Sequence, residues 1–226
     1  MEKHTPKRFL SRRQFLGNTT CAGLGLAGLG LAGSQISATT PPVQARRPNI
    51  LFAIADDWSW PHASVAGARG IHTPTFDRVA REGVLFSHAF CAAPQCSPNR
   101  AAILTGRHIG QLEEAGTHSS LFPDKFKVYP SLLAAAGYHV GLTGKGWGPG
   151  EWKRGGWTQN PAGPEYSALE LAAVPWSGIN STDYAGNFEA FLAKRPEGAP
   201  FCFWYGGHEP HRKYEKGAGL KAGKKL

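Results

Sequence analysis

Apolar residues fall in short blocks along the chain, cut by glycine, proline and polar pairs. Asn49–Ala55 (NILFAIA) is one such block, with no polar interruption after Asn49. An unbroken run of this length predicts a strand covered on both faces, because a half-wetted strand alternates. Val84–Phe90, Tyr138–Thr143 and Phe201–Tyr205 read as further strands. Between them lie stretches with helical start and stop signals. Thr75–Glu82 has Pro74 near its start and Gly83 as its stop. A helix from Ser97 to about Thr105 would use Ser97 as cap and Pro98 in its first turn, with Gly106 closing it. Pro130–Ala136 ends at Gly137, and Asp183–Lys194 sets Phe188, Phe191 and Leu192 on one face. Residues 146–181 are rich in Gly, Pro and Trp and read as a long irregular insertion. Repeated strand–helix units predict an α/β fold, a mostly parallel sheet sandwiched by helices.

Composition changes this picture little. At 226 residues and 41% hydrophobic, the chain can bury a core and is neither disordered nor fibrous. Four cysteines are too few and too scattered for a disulfide scaffold or a four-thiolate zinc site. The net charge of +9 is confined to the ends: residues 1–47 carry +6, residues 212–226 carry +5, and the body between is at −2. A basic body that would grip nucleic acid is therefore not expected.

The first 45 residues read as a separate unit. Ser11-Arg12-Arg13-Gln14-Phe15-Leu16-Gly17 is a twin-arginine block, followed by a weakly apolar stretch from Cys21 to Gly33 and small residues that allow cleavage after Ala38 or Ala45. The apolar stretch is too short and glycine-rich for a stable membrane span. The expected organisation is a twin-arginine signal peptide at 1–45 and a folded body at 46–226. Such a leader resembles those of exported bacterial proteins. It implies the twin-arginine export machinery as a partner and a periplasmic or secreted location.

Chemistry-bearing residues cluster where strands end. Asp56-Asp57 follows the first strand, Lys145 the third, and His208 and His211 the last. Ligands of open α/β sheets bind outside the carboxyl ends of strands, so these groups are expected on one rim. Cys96-Ser97-Pro98-Asn99-Arg100 enters a helix, whose free N–H groups suit an anion. Arg100 is about one turn after Cys96, within reach of it or of an oxyanion beside it. Taken singly, each residue has a plainer reading. Cys96 suits a buried small residue or an ordinary nucleophilic thiol. The Asp pair suits a turn, Lys145 the surface, and His208-x-x-His211 a zinc pair for which no third ligand is evident.

Together the segments resemble the type I sulfatases. Cys96-x-Pro98-x-Arg100 followed by Ala101-Ala102-Ile103-Leu104-Thr105-Gly106-Arg107 is similar to the family signature, in which the cysteine becomes formylglycine. Pro48–Asp57, His72–Ala80 with Gly83–Phe86, Gly137–Lys145 and Pro200–Arg212 resemble other segments of that family, with a flavour of heparan N-sulfatases (sulfamidases). The resemblance implies an alkaline-phosphatase-like fold and hydrolysis of a sulfated carbohydrate or sulfamate. It also implies Ca²⁺ held by Asp56, Asp57 and residue 96, and a formylglycine-generating enzyme as maturation partner. Cys96 and Arg100 would be catalytic, Lys145 would bind sulfate, and His211 with His208 would contact sulfate or protonate the leaving group. Two departures accompany it. Trp147 stands where the family usually has a histidine, two residues after the lysine. A later Asp-Asn pair and second lysine of the family have no counterpart before Leu226. The expectation is the N-terminal portion of a sulfatase with an incomplete sheet, from a truncated or frameshifted reading frame. A non-catalytic remnant and a phosphoesterase of the same superfamily are the rival readings.

Overall fold

β-branched and aromatic blocks become the three strands of one sheet in the computed structural model, which describes residues 47–174, 179–212 and 215–217. The expected signal peptide lies outside the described residues. Strands β1 (Ile50–Asp56), β2 (His139–Gly144) and β3 (Phe201–Pro210) are all parallel, in the order β1-β3-β2. β3 is central, so it is covered on both faces and reads as a continuous apolar run.

Alternation along β3 divides the core in two. Trp204 faces a cluster that includes Leu104, Leu112, Phe122, Val128, Leu142 and Trp147. Helix α2 (Cys96–Thr105) enters this cluster through Ala101, Ala102 and Leu104, and α3 (Tyr129–Ala135) follows Val128 and leads into β2. Phe203 points the other way, onto α4 (Tyr184–Ala193), with ring centroids 4.8 Å from Phe188 and 4.5 Å from Phe191. Helices thus pack on both faces, as predicted. The remaining helix, α1 (Pro74–Glu82), buries none of its residues. Its start is tied instead by Asp77, which accepts hydrogen bonds from Ser64 and Thr73.

The structure corrects several sequence expectations. Val84–Phe90 forms no strand; Val84, Phe86 and Phe90 are largely exposed, because no neighbouring strand is present among the described residues to take their backbone groups. Helix α2 begins at Cys96, one residue early, and Ser97 is not its cap: Ser97 is buried, and its Oγ accepts from the Ser119 N–H. β3 runs five residues past Tyr205, which puts His208 in the strand itself and His211 immediately beyond it. The pairing of Cys91 and Cys202, which the sequence leaves open, is not formed: both are free thiols, the first exposed and the second buried.

Two close approaches shape the rim where the strands end. The β1–β3 register shifts between Ala55 and Asp56, so Asp56 pairs with Pro210 rather than with the residue after Gly207. Next door, a Cβ on Gly206 would lie 2.0 Å from the Lys145 carbonyl oxygen, and Gly144 has φ 70°. Only glycine tolerates both the contact and the left-handed turn, and the pair lets the chain leave β2 tight against β3.

Candidate functional site

The ends of all three strands and the start of α2 meet at Asp56. This last residue of β1 is buried, with 4% of its surface exposed. A carboxylate taken out of water needs partners, and Asp56 has two cations. Arg100 Nη2 is 3.3 Å from its Oδ1 and Lys145 Nζ is 2.5 Å from its Oδ2. Burial by itself raises the Asp56 pKa, but the hydrogen bonds and charges of Lys145 and Arg100 outweigh it and hold the carboxyl below its usual value. Arg100 is 1% exposed. Besides Asp56 it donates through Nη1 to the Lys145 and Gly146 carbonyls at 2.6 and 3.1 Å. Burial pushes the guanidinium pKa down and Asp56 pulls it back up. The fork is thus turned to Asp56 and to the backbone after β2. It binds the β1 end, the β2 end and α2 into one unit.

Cys96 sits above this pair as the first residue of α2. Its Sγ is 3.6 Å from Asp56 Oδ1. Asp56, Cys96 and His211 each offer one ligand atom, and these atoms lie within 4.8 Å of one another. A cavity of about 680 Å³ opens over them, lined also by Lys145, His118, His208 and Glu209. His208 is half-buried. Burial is the largest influence on its imidazole; Glu209 and Asp56 pull its pKa up, Lys145 and Arg100 push it down, and the result lies below the ordinary histidine value. Glu209 is held by the Asn180 N–H at 2.8 Å and the Tyr184 hydroxyl at 3.1 Å.

Asp57 is placed differently. It adopts the left-handed conformation at φ 60°, which aspartate tolerates, and it is exposed. It does not line the 680 Å³ cavity, but with Asp56, Cys96, Arg100, His118 and His211 it lines an adjoining one of about 600 Å³. So the structure brings together Asp56, Cys96, Arg100, Lys145, His208 and His211 on one rim, with Asp57 reaching it from the side.

Trp147, at the position of the expected histidine, is a core residue. It is 2% exposed, packs on Phe122 at 5.1 Å, and donates its indole N–H to the Ser97 carbonyl at 3.0 Å. It supports the first turn of α2 and exposes no titratable group. The sequence alone reads His118 as a structural histidine and singles out neither Asn180 nor Glu209, yet all three line the cavity. Glu209 sits between the two histidines already singled out, which was a usable signal; His118 and Asn180 lie in irregular segments with no pattern to mark them.

For a divalent cation, Asp56 and Asp57 offer hard oxygen donors of the right kind for Ca²⁺, and residue 96 would add oxygen in place of sulfur if oxidised. The fit is in donor type; the six to eight oxygens that calcium takes are more than these side chains supply.

Comparison with known proteins fixes the family. The sequence model of the Sulfatase family matches residues 48–222. The chain belongs to the sulfatase family. It is 31% identical over 185 residues to the N-acetylglucosamine-6-O-sulfatase of Bacteroides thetaiotaomicron, covering 76% of this chain and 32% of that protein. It is 39% identical over 110 residues to the N-acetylgalactosamine-6-sulfatase of Sus scrofa, covering 43% and 21%. Among solved structures it resembles a protein in complex with its substrate D-glucosamine-2-N,6-O-disulfate, at TM-score 0.55 and 27% identity over 75% of this chain and 36% of that one. This sulfatase-family chain spans about a third of the length of relatives matched over most of its body. Its parallel sheet between helices is the alkaline-phosphatase-like arrangement of sulfatases. Among the described residues no helix is long and apolar enough to cross a membrane.

Proposed function

We propose that this chain acts in hydrolysis of a sulfate ester or sulfamate on a carbohydrate, with Cys96 matured to formylglycine and Ca²⁺ held beside it. The carrying observation is the meeting of Cys96, Asp56 and His211 within 4.8 Å at the first turn of α2, with Lys145 in the same cavity wall. A sulfate ester is an anion that gains charge on its leaving oxygen, so its site calls for preorganised positive charge and hydrogen-bond donors. Asp56 shares two cations, Arg100 and Lys145, which together outweigh its own charge, while Glu209 and Asp57 add negative charge at the walls that a bound cation would offset. Lys145 presents its ammonium to a sulfate oxygen, and the N-terminal amides of α2 add donors to the same anion. His211 and His208 supply protons on the leaving-group side; a depressed His208 pKa makes that group a willing proton donor once charged. Arg100 does not touch substrate in this scheme; it holds Asp56 and the Lys145 backbone in place.

Formylglycine, as its hydrate, supplies the hydroxyl nucleophile that a thiol cannot, and would be installed on Cys96 by a formylglycine-generating enzyme. Asp56, Asp57 and residue 96 would hold the Ca²⁺, which supplies charge neutralisation at the sulfuryl oxygens. The glucosamine and galactosamine sulfatases among the relatives support a sulfated amino sugar as substrate class. The twin-arginine leader places the mature protein in the periplasm or outside the cell, delivered by the twin-arginine machinery.

The test is purified full-length chain from a host with formylglycine machinery. Mass spectrometry of the peptide around Cys96 is expected to show the aldehyde, and an aryl sulfate to be turned over in a Ca²⁺-dependent manner. An unmodified thiol without turnover favours the non-catalytic remnant. Faster turnover of aryl phosphate than of aryl sulfate favours the phosphoesterase.

A further inference from the structure

Trp147 leaves an unfilled role. With the indole buried in the core and its N–H spent on the Ser97 carbonyl, position 147 can neither take nor give a proton at the cavity. One other histidine stands close to residue 96 without belonging to any motif. His118 lines both cavities that contain Cys96, the one shared with Lys145 and His208 and the one shared with Asp57 and Arg100. It is brought there by a specific device. Ser119, the next residue, is held in the left-handed conformation at φ 54°, uncommon for a serine. Its N–H donates at 3.1 Å to Oγ of Ser97, which is buried at the residue next to Cys96. A non-glycine residue kept in this region is a local cost that the surroundings must hold in place, and such residues concentrate at functional sites.

The ring itself is oriented. His118 Nδ1 lies 3.1 Å from Ser119 Oγ. With Nδ1–H donating to that oxygen, Nε2 is left with the lone pair that can accept a proton. His118 is solvent-exposed, so a proton it accepts can pass on to water.

We propose that His118 is the proton-transfer residue for side chain 96, in the place that a histidine at position 147 would otherwise fill, and that the Ser97–Ser119 hydrogen bond is its positioning element. Neutral imidazole takes a proton from the oxygen borne by the matured side chain 96, becomes imidazolium, and returns the proton to water. This rests on the sulfate-site reading above.

Histidine carbethoxylation by diethyl pyrocarbonate tests it without turnover. The full chain is modified with and without inorganic sulfate at ten times its dissociation constant, and each histidine peptide is quantified. Sulfate is expected to slow modification of His118 about tenfold, together with His208 and His211, while exposed His88, which lines none of these cavities, is unaffected. Protection of His208 and His211 with none at His118 overturns the proposal alone. Protection of none of the three overturns the sulfate site and the proposal with it. Ser97→Ala is expected to cut the protection of His118 and leave that of His211. In matured enzyme, His118→Ala is expected to lower aryl sulfate kcat about 10²-fold or more with KM little changed, and added imidazole is expected to restore part of it. Absence of both the loss and the rescue would overturn the assignment.

Discussion

Two apolar stretches of this chain meet opposite fates. The block from Ile50 to Asp56 and the block from Val84 to Phe90 look alike in composition, yet the first ends in a buried, doubly ion-paired carboxylate and the second lies open to solvent. The difference is partnership. β1 pairs residue by residue with β3, and its last side chain is gripped by two cations from other elements. Residues 84–90 have no strand beside them among the described residues, and Phe86 is 76% exposed. Apolar content makes a strand possible, but a neighbour's unpaired N–H and C=O groups make it stable.

The sharpest way to break this contrast is at Asp56. Asp56→Ala leaves Arg100, 1% exposed, without its carboxylate and is expected to cost about 3–5 kcal/mol in urea unfolding. The same carboxyl gives a pH signature. Its folded pKa is lowered, so its contribution is complete above the unfolded value of 3.8 and is lost as pH falls through the folded value. Asp56→Asn should therefore flatten the acid limb of stability. A cost under about 1 kcal/mol, within the ordinary range for surface sites, would mean that the cluster is not a structural keystone.

A second cut falls on Trp147. Trp147→Phe keeps most of the ring volume but leaves the Ser97 carbonyl without its indole donor, at an expected cost of about 1–3 kcal/mol. Because the lost bond props the first turn of α2, sulfate affinity measured by calorimetry should fall along with stability. Loss of stability with unchanged sulfate affinity would separate Trp147 from the site.

How much of this was legible beforehand follows the same line. β1, β2, β3 and the helices on both faces could be read because a buried parallel strand needs a continuous apolar run and each helix carries its own start and stop. Asp56, Lys145 and His211 could be placed on one rim because strand order in α/β sheets brings carboxyl ends together. What could not be read depends on tertiary contacts. Ser97 resembles a cap in sequence, but its hydroxyl serves Ser119, 22 residues on. Arg100 looks free to reach an anion, whereas its fork is spent on Asp56 and two carbonyls from the segment after β2. His118 sits in a segment with no periodicity, and only its packing brings it beside Cys96.

His208 sharpens the comparison at smaller scale. Its folded pKa lies below the ordinary 6.5, with burial the main cause. The unfolded chain therefore takes up the proton first as pH falls. Stability is whole above about 6.5 and declines as pH drops below it toward the folded value. His208→Gln should abolish that decline, which thermal unfolding between pH 7 and pH 5 would read. A wild-type protein whose stability does not change across that interval would remove His208 from the buried rim.

The smallest effect expected is at Phe86, and its smallness is the point. Phe86→Ser replaces a large apolar side chain by a polar one, a change that at Phe203, buried between β3 and α4, would cost several kcal/mol. At a side chain already 76% in water little transfer free energy is lost, so the expected change is within about 0.5 kcal/mol. Urea unfolding of both variants against the parent gives the comparison directly. The solubility of the Phe86 variant should rise, since Val84, Phe86 and Phe90 together expose apolar surface that favours association. A cost at Phe86 approaching that at Phe203 would mean that residues 84–90 are covered in solution, and the contrast with β1 would then dissolve into two strands at different stages of pairing.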